Sequence, residues 1–249
     1  MIFSTAVLAV AGFLAGVMNA LAGGGSFVTF PALLLVGLDP RAANVTSTIA
    51  LLPSQTAAGW AGRRMAEGAA GLSLKTLFIV SVVGGAVGAM LLLATPVSMF
   101  TRLVPWLILF ATAIFVWGSF FRRSQTPDAP PPITPRIALM LQFAISVYGG
   151  YFGGGIGILM IAALTTVGVA VRAAGATKNL LAGVMNIAAV AIFLLESRQN
   201  WTLVLALGIS AVIGGQIGVL ILRFMPENVL RLVVSAMGAA LTVGMFIRS

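Results

Sequence analysis

One lysine stands apart from the other charged residues of the chain. Lys178 lies inside a long apolar segment, and placing a lysine in the middle of a membrane helix costs about 2.5 to 3.5 kcal/mol on insertion scales. It therefore requires a partner or a purpose, and attraction of an anionic ligand is one such purpose. Extension of the side chain to the membrane surface is the alternative, because the preceding loop is only about two helical turns away.

Uncharged polar residues occupy matching positions in two segments. Thr48 and Gln55 form one pair, Asn179 and Asn186 form another with the same spacing of two helical turns, and the pairs are equivalent in an internal repeat of the chain. This spacing places both members of a pair on one helix face. Together with Asn19 they predict a polar lining around a substrate. Interhelical hydrogen bonds, worth about 0.6 kcal/mol each in membranes, are the alternative.

A glycine triplet occurs once in each half of the chain. Its members are Gly23, Gly24 and Gly25 in the first half, and Gly153, Gly154 and Gly155 in the second. A helix is predicted to begin directly after each triplet, at Ser26 and at Ile156, so that free N–H donors and a partial positive charge lie at each turn. Such helix ends bind anions. Tight helix packing alone is the alternative.

Several classes of chemistry are excluded by the residue types. The chain has no histidine and no cysteine, so a Ser–His pair and thiolate metal sites are impossible. Ser26 is the obvious nucleophile, and only Lys178 could serve as its base. The five acidic residues fall in loops or at segment ends, so no carboxylate proton relay is visible. We therefore expect no enzyme, no metal and no cofactor.

The composition is that of a membrane protein. Hydrophobic residues make up 60% of the chain and charged residues 8%, whereas a soluble domain carries about 25% charged residues. Apolar runs of about 20 residues match the roughly 30 Å of hydrocarbon that a helix must cross. The net charge of +9 comes from scattered residues rather than a stripe, so we expect the lipid bilayer, and not nucleic acid, as the partner surface.

The triplets belong to a longer internal repeat. Gly84, Gly85 and Gly88 recur at the same offset as the triplets, and Pro96 and the run after Arg102 recur in the same order. Each half holds five apolar segments, which divides the chain into a first repeat at 1–121, a Pro-rich linker at 122–135 and a second repeat at 136–249. An odd number of segments inverts the second repeat relative to the first.

The second segment of each half is short. From Gly25 to Leu38 it would measure only about 21 Å as a helix, less than the hydrocarbon thickness. We therefore predict an all-α integral membrane protein of two inverted repeats, each a glycine-broken re-entrant hairpin followed by three transmembrane helices. The two hairpin tips would meet near the middle of the bilayer, where inverted-repeat transporters bind substrate. A fully spanning second segment remains the alternative.

The basic residues predict the orientation. Ten lie in loops on one side, with Lys178 counted there because it is about two turns from the loop, and four lie on the other side. This bias places the linker in the cytoplasm and both termini outside. The membrane would be a bacterial inner membrane. Arg41 and Arg172 open the third segments of the two halves, where they either gather anions or anchor the helix ends.

Several of these motifs resemble one family of transporters. The run from Gly23 to Leu35, followed by Gly37, Leu38 and Pro40, and the second glycine triplet with Thr177, Lys178 and Asn179, are similar to the TauE/SafE family of sulfite and organosulfonate exporters. The resemblance covers nearly the whole chain. It implies an inner-membrane transporter of small sulfur-containing anions, with Thr177, Lys178, Asn179 and both glycine motifs in the conserved core.

These observations together predict an exporter of sulfite, thiosulfate or an organosulfonate that works by alternating access between the two hairpins. An inside-negative potential favours anion exit by about 2.3 kcal/mol per charge per 100 mV, so export needs no coupling ion. An anion channel of the same architecture is the alternative. The sequence leaves the oligomeric state open, a homodimer included.

Overall fold

The structure is a computed structural model that describes residues 2–21, 24–117, 133–196 and 199–221, with some positions between 232 and 247. Within these ranges the chain is helical, without strands beyond one isolated bridge between Ala69 and Leu72. The helices are α1 (Ile2–Leu21), α2 (Ser26–Leu35), α3 (Pro40–Gly62), α4 (Leu74–Ala94), α5 (Val97–Val116), α6 (Pro135–Tyr151), α7 (Ile156–Thr166), α8 (Val171–Glu196) and α9 (Trp201–Ile221).

The surface of the helices is apolar, as a lipid environment requires. Three spans in the described part, Leu74–Ala94, Val97–Ile114 and Arg172–Leu195, are long and apolar enough to cross a membrane. Large apolar side chains such as Met140 and Leu195 are 73% and 86% exposed, which would be unfavourable in water. The prediction of an α-helical membrane protein is therefore confirmed.

The two helices that follow the triplets are short. α2 begins at Ser26 and α7 at Ile156, as predicted, and their 10 and 11 residues correspond to about 15 Å and about 17 Å at 1.5 Å per residue. Each packs against the helix before it, α2 against α1 and α7 against α6. Neither reaches the length of a membrane span.

The two triplets build different turns. Gly153 and Gly155 have φ of +76° and +75°, a left-handed conformation that side chains other than glycine rarely adopt. Gly25 has φ of −55°, and its need for glycine comes from close packing, because a Cβ there would lie 2.8 Å from the Ala15 carbonyl oxygen. Gly23 lies outside the described residues.

Helices of one half pack against helices of the other. α1 lies along α9, α4 lies along α6, and α3 and α8 contact each other between these pairs. A Cβ on Gly84 of α4 would lie 3.1 Å from the Phe143 carbonyl oxygen of α6, and one on Gly214 of α9 would lie 2.0 Å from that of Phe13 in α1. In the repeat, Gly84 is the counterpart of Gly214 and Phe13 that of Phe143. In this instance the equivalent residues make equivalent contacts with the halves exchanged.

The sequence predicts that the fifth apolar segment begins at about Leu103, with Arg102 in the loop before it. This boundary is wrong, because α5 begins at Val97, directly after Pro96, and Arg102 lies within the helix. The Thr101 hydroxyl donates to the Val97 carbonyl oxygen at 2.8 Å, which satisfies it inside the helix. Most of the predicted linker, residues 122–132, lies outside the described ranges.

Candidate functional site

A cavity of about 300 Å³ lies between α3, α7, α8 and α9, beside the end of α1. Most of the described side chains around it are small or polar, and none of them is acidic. The lining comprises Asn19, Ser54, Gln55, Ala57, Ala58, Ala61, Ile156, Gly157, Lys178, Asn179, Ala182, Val212, Gly215 and Gln216. Four of the predicted site residues, Asn19, Gln55, Lys178 and Asn179, therefore meet at one cavity.

Lys178 is the cationic group of this cavity. It lies two turns into α8 and is only 5% exposed, so its side chain does not extend along the helix to the protein surface. Within the described ranges its ammonium group has neither a hydrogen bond nor an ion pair. A buried cation without a counterion favours entry of an anion, because the anion supplies the missing charge.

The N-terminus of α7 opens onto the same cavity. Ile156 and Gly157 are its first two residues and both line the cavity. The first hydrogen bonds of this helix go from the N–H groups of Ile158 and Leu159 to the Gly155 carbonyl oxygen, at 3.1 and 3.2 Å. The N–H groups of Ile156 and Gly157 find no acceptor in the described part, so a helix end and a lysine attract negative charge to one place.

Asn19 links the first hairpin to the cavity. Its Oδ1 accepts a hydrogen bond from the Gly25 N–H group at 3.2 Å, which fixes the turn between α1 and α2. Its Nδ2 is buried and has no hydrogen-bond partner in the described part of the chain. A buried donor without a partner costs about 1 to 3 kcal/mol, so this amide is a ready donor to a ligand in the cavity.

Gln55 and Asn186 are bonded to each other. The Asn186 Nδ2 donates to the Gln55 Oε1, and the Asn186 Oδ1 is buried without a donor among the described residues. The two residues are counterparts in the repeat. A contact between two counterparts lies at the interface of the two halves. Because Gln55 also lines the cavity, this interface reaches the cavity wall.

Other predicted residues lie apart from this cavity. Ser26 and Gly154 line a second cavity of only about 10 Å³. The Thr48 hydroxyl donates to the Asn44 carbonyl oxygen at 2.9 Å, and a Cβ on Gly153 would lie 3.9 Å from that hydroxyl. The Gly24 carbonyl oxygen accepts a hydrogen bond from the Phe27 N–H group at 3.0 Å.

Thr177 is held by the loop that follows α3. Its hydroxyl accepts a hydrogen bond from the Glu67 N–H group at 2.9 Å and donates to the Glu67 carbonyl oxygen at 3.2 Å. The residue is fully buried. Its neighbours Lys178 and Asn179 line the cavity, but the Thr177 side chain is engaged with this loop on another face of α8.

Arg41 serves as a helix-end anchor. Its Nη1 donates to the carbonyl oxygens of Leu93 and Thr95 at 3.3 and 3.0 Å, which satisfies the C-terminus of α4. The basic residues that lie near the cavity are Arg63 and Arg64. The lining extends to Ala61 in the last turn of α3, and these two exposed arginines follow directly. These two arginines raise the local concentration of anions at that end.

Two polar lining residues, Ser54 and Gln216, were not predicted from the sequence. Ser54 lies in an apolar run where a serine is expected to bond to its own helix. Gln216 stands in the repeated glycine pattern at the position that Ala86 holds in the first half. That departure from the repeat was the available signal, because a polar residue that replaces alanine inside an apolar helix requires a purpose.

Comparison with known proteins identifies the family of this chain. The family model described as sulfite exporter TauE/SafE matches residues 8–245. The chain belongs to the TauE/SafE family. A TauE/SafE protein is a membrane transporter, which confirms the expectation that the chain is not an enzyme. Consistent with that, Ser26 and Lys178, the nucleophile and base considered above, line different cavities.

Relatives of this TauE/SafE chain carry general names. It is 26% identical to a "Probable membrane transporter protein" of Haemophilus influenzae, over 96% of this chain and 93% of the relative. It is 28% identical to a "Probable membrane transporter protein ORF9" of Sinorhizobium sp., over 86% and 81%. It is 25% identical to "Probable membrane transporter protein YfcA" of Escherichia coli, over 85% and 78%.

Proposed function

We propose that this chain exports a small sulfur-containing anion, such as sulfite, thiosulfate or an organosulfonate, across a bacterial inner membrane. The observation that carries the proposal is the buried Lys178, unpaired among the described residues, at a cavity that it shares with the N-terminus of α7. Amide groups of Asn19, Gln55 and Asn179 complete a set of donors suited to oxyanion oxygens. The family description supplies the sulfur chemistry.

Two inverted repeats form the framework of this proposal. The exchanged contacts of Gly84 with Phe143 and of Gly214 with Phe13, and the bond between the counterparts Gln55 and Asn186, support a two-fold relation between the halves. With an odd number of segments in each half, the axis of that relation lies in the membrane plane. The short α2 and α7 would then enter from opposite faces as parts of re-entrant hairpins.

The direction of transport follows from charge. The proposed orientation places Arg63, Arg64 and the linker in the cytoplasm and both termini outside. The described cavity then faces the cytoplasm and collects the anion there. The membrane potential drives the anion outward without a coupling ion.

The first test measures anion binding by thermal stabilisation of the purified protein, since a ligand that binds the folded state raises its Tm. Sulfite, thiosulfate, sulfoacetate, taurine and sulfate are compared with a neutral sugar. We expect a sulfur-containing anion to raise Tm in the wild type, and Lys178→Met to abolish the shift because it removes the cation while it keeps a linear side chain. The only other lysine, the exposed Lys75, provides the control variant Lys75→Met, which should retain the full shift. Equal shifts in both variants would remove Lys178 from the site.

Flux measurements distinguish the proposed carrier from an anion channel of the same architecture. The second described cavity, beside Ser26, holds only about 10 Å³, which favours a carrier whose site opens to one face at a time. In proteoliposomes a carrier shows saturable uptake of labelled sulfite that is stimulated by unlabelled sulfite inside. Flux that rises linearly with concentration and ignores internal sulfite would establish the channel instead.

A further inference from the structure

A methionine fills the space between α4, α6 and α8. Met185 of α8 is fully buried. A Cβ on Gly85 would lie 2.7 Å from its Cγ, and one on Gly149 would lie 2.6 Å from its Sδ and Cε. The side chain therefore crosses from α4 to α6, with a glycine packed against it at each end.

The equivalent place in the other half is open. In the internal repeat, the counterparts of Gly149, Met185 and Gly85 are Asn19, Ser54 and Gly215. All three counterparts line the cavity of about 300 Å³. Ser54 is shorter than Met185, and the open cavity lies beside it, next to α9 and the end of α1.

A small remnant of space persists on the filled side. Ser26 and Phe27, the counterparts of the cavity residues Ile156 and Gly157, line the second cavity, which has a volume of only about 10 Å³. The equivalent sites of the two halves therefore differ. The site beside Ser54 is an open cavity, and the site beside Met185 is filled by side chains.

Resting on the proposed function, we propose that the transport site has a second entrance from the opposite membrane face, and that Met185 is the side chain that closes it. Opening requires α4 and α6 to withdraw from Met185, while the cavity beside Ser54 closes. Packed interfaces of this kind switch between discrete arrangements rather than deform continuously. The second entrance would be lined by Ser26, Thr48 and Asn186.

The absence of cysteine from the sequence makes this proposal testable with single-cysteine reporters. Ala58 lines the open cavity, whereas Ala189, its counterpart in the repeat, is fully buried. The variants Ala58→Cys and Ala189→Cys form a matched pair. A membrane-impermeant thiol reagent is applied to right-side-out and to inverted vesicles, and the rate of labelling is measured.

We expect Ala58→Cys to react only from the face where Arg63 and Arg64 lie, and Ala189→Cys to react only from the opposite face. Adding Met185→Ala to the second reporter should raise its labelling rate at least about tenfold, because the loss of buried methylenes destabilises the closed packing alone. Met185→Leu, which conserves volume, should leave the rate near that of the parent.

The proposal is overturned if Ala189→Cys is unreactive from both faces, with and without Met185→Ala, while Ala58→Cys reacts. If Met185→Ala does not give a monodisperse protein, the labelling of Ala189→Cys alone is measured with and without sulfite. The proposal is then overturned if this reporter is unreactive from both faces under both conditions. Binding distinguishes the two hypotheses: a wild type stabilised by sulfite with an inert Ala189→Cys refutes only the second entrance. A wild type that none of the tested sulfur-containing anions stabilises refutes the proposed function, whatever the labelling.

Discussion

At the scale of single residues, Gln216 breaks the internal repeat. It lines the cavity at the position that Ala86 holds in the other half. A hydrogen bond from an amide to a charged ligand is worth about 1.5 to 3 kcal/mol. Gln216 therefore adds a donor to the cavity that its counterpart cannot supply.

We expect Gln216→Ala to weaken anion binding about tenfold, which is the lower end of that energy range, without a change in the Tm of the ligand-free protein. Calorimetric titration with the best-stabilising anion measures the Kd. Ala86→Gln, the reciprocal change in α4, serves as the control and should leave the Kd unaltered. A Kd for Gln216→Ala within twofold of the wild type would contradict a role in binding.

Thr177 illustrates the other kind of buried polar residue, one engaged by the backbone. Thr177→Val should lower the free energy of unfolding by about 1 to 3 kcal/mol, because it removes both hydrogen bonds to the Glu67 backbone. Thr177→Ser keeps the hydroxyl and should lose less. Thermal unfolding in detergent measures the effect, and an unchanged Kd would assign Thr177 to the fold. A raised Kd at unchanged Tm would assign it to the site.

The sequence showed part of the site directly and concealed the rest. Lys178 could be predicted as a site residue because a charged side chain inside an apolar segment is energetically costly. Ser54 resembled any serine bonded to its own helix, and the counterpart of Gln216 is an alanine. Which side chains converge is a property of how helices from different halves cross, and one helix's periodicity does not contain it.

At the scale of elements, α1 and α9 approach so closely that their backbones touch. A Cβ on Gly16 would lie 2.0 Å from the Ala211 carbonyl oxygen and 2.7 Å from the Gly215 nitrogen. Small residues at such crossings permit the van der Waals contact that drives helix association in lipid. Gly12 and Gly16 have the four-residue spacing typical of close helix packing in membranes, and the contact distances at Gly16 agree with this use.

Gly16→Ala should therefore destabilise the protein by about 1 to 3 kcal/mol, since backbone atoms cannot move aside as a flexible side chain would. Gly175 in α8 has open space around its Cβ position, and Gly175→Ala should be neutral or slightly stabilising because alanine favours the helix. The two Tm values, measured side by side in one detergent, test the contrast. A Gly16→Ala protein as stable as Gly175→Ala would disprove the tight crossing.

Helix boundaries were predictable where an apolar run, a proline or a cap marked them. Asp39 accepts hydrogen bonds from the N–H groups of Arg41 and Ala42, both at 3.0 Å, and α3 begins beside it at Pro40. The start of α5 at Val97 was harder to predict, because the polar Thr101 and Arg102 follow it closely. At a helix end near the membrane surface, polar side chains are compatible with either structure.

At the scale of the whole molecule, orientation is the property that most affects the function. The span Leu74–Ala94 in α4 is long enough to cross the membrane, so the exposed Met65 and Ser98, one before and one after it, should lie on opposite faces. We expect Met65→Cys to be labelled from the cytoplasmic face and Ser98→Cys from the outer face. Reversed labelling would mean that the orientation is inverted and that the protein imports the anion. Labelling of both residues from one face would mean that α4 does not span the membrane.

Lys178 has no charged equivalent, because its counterpart in the first half is Ser47, which is bonded to Thr29. A carrier whose halves were chemically identical would bind its substrate with the same affinity from either compartment. Here only one half supplies this cationic side chain, so the anion associates and dissociates at different rates on the two faces. The protein should behave as a rectifier, with an apparent KM for the anion that depends on the face from which it is offered.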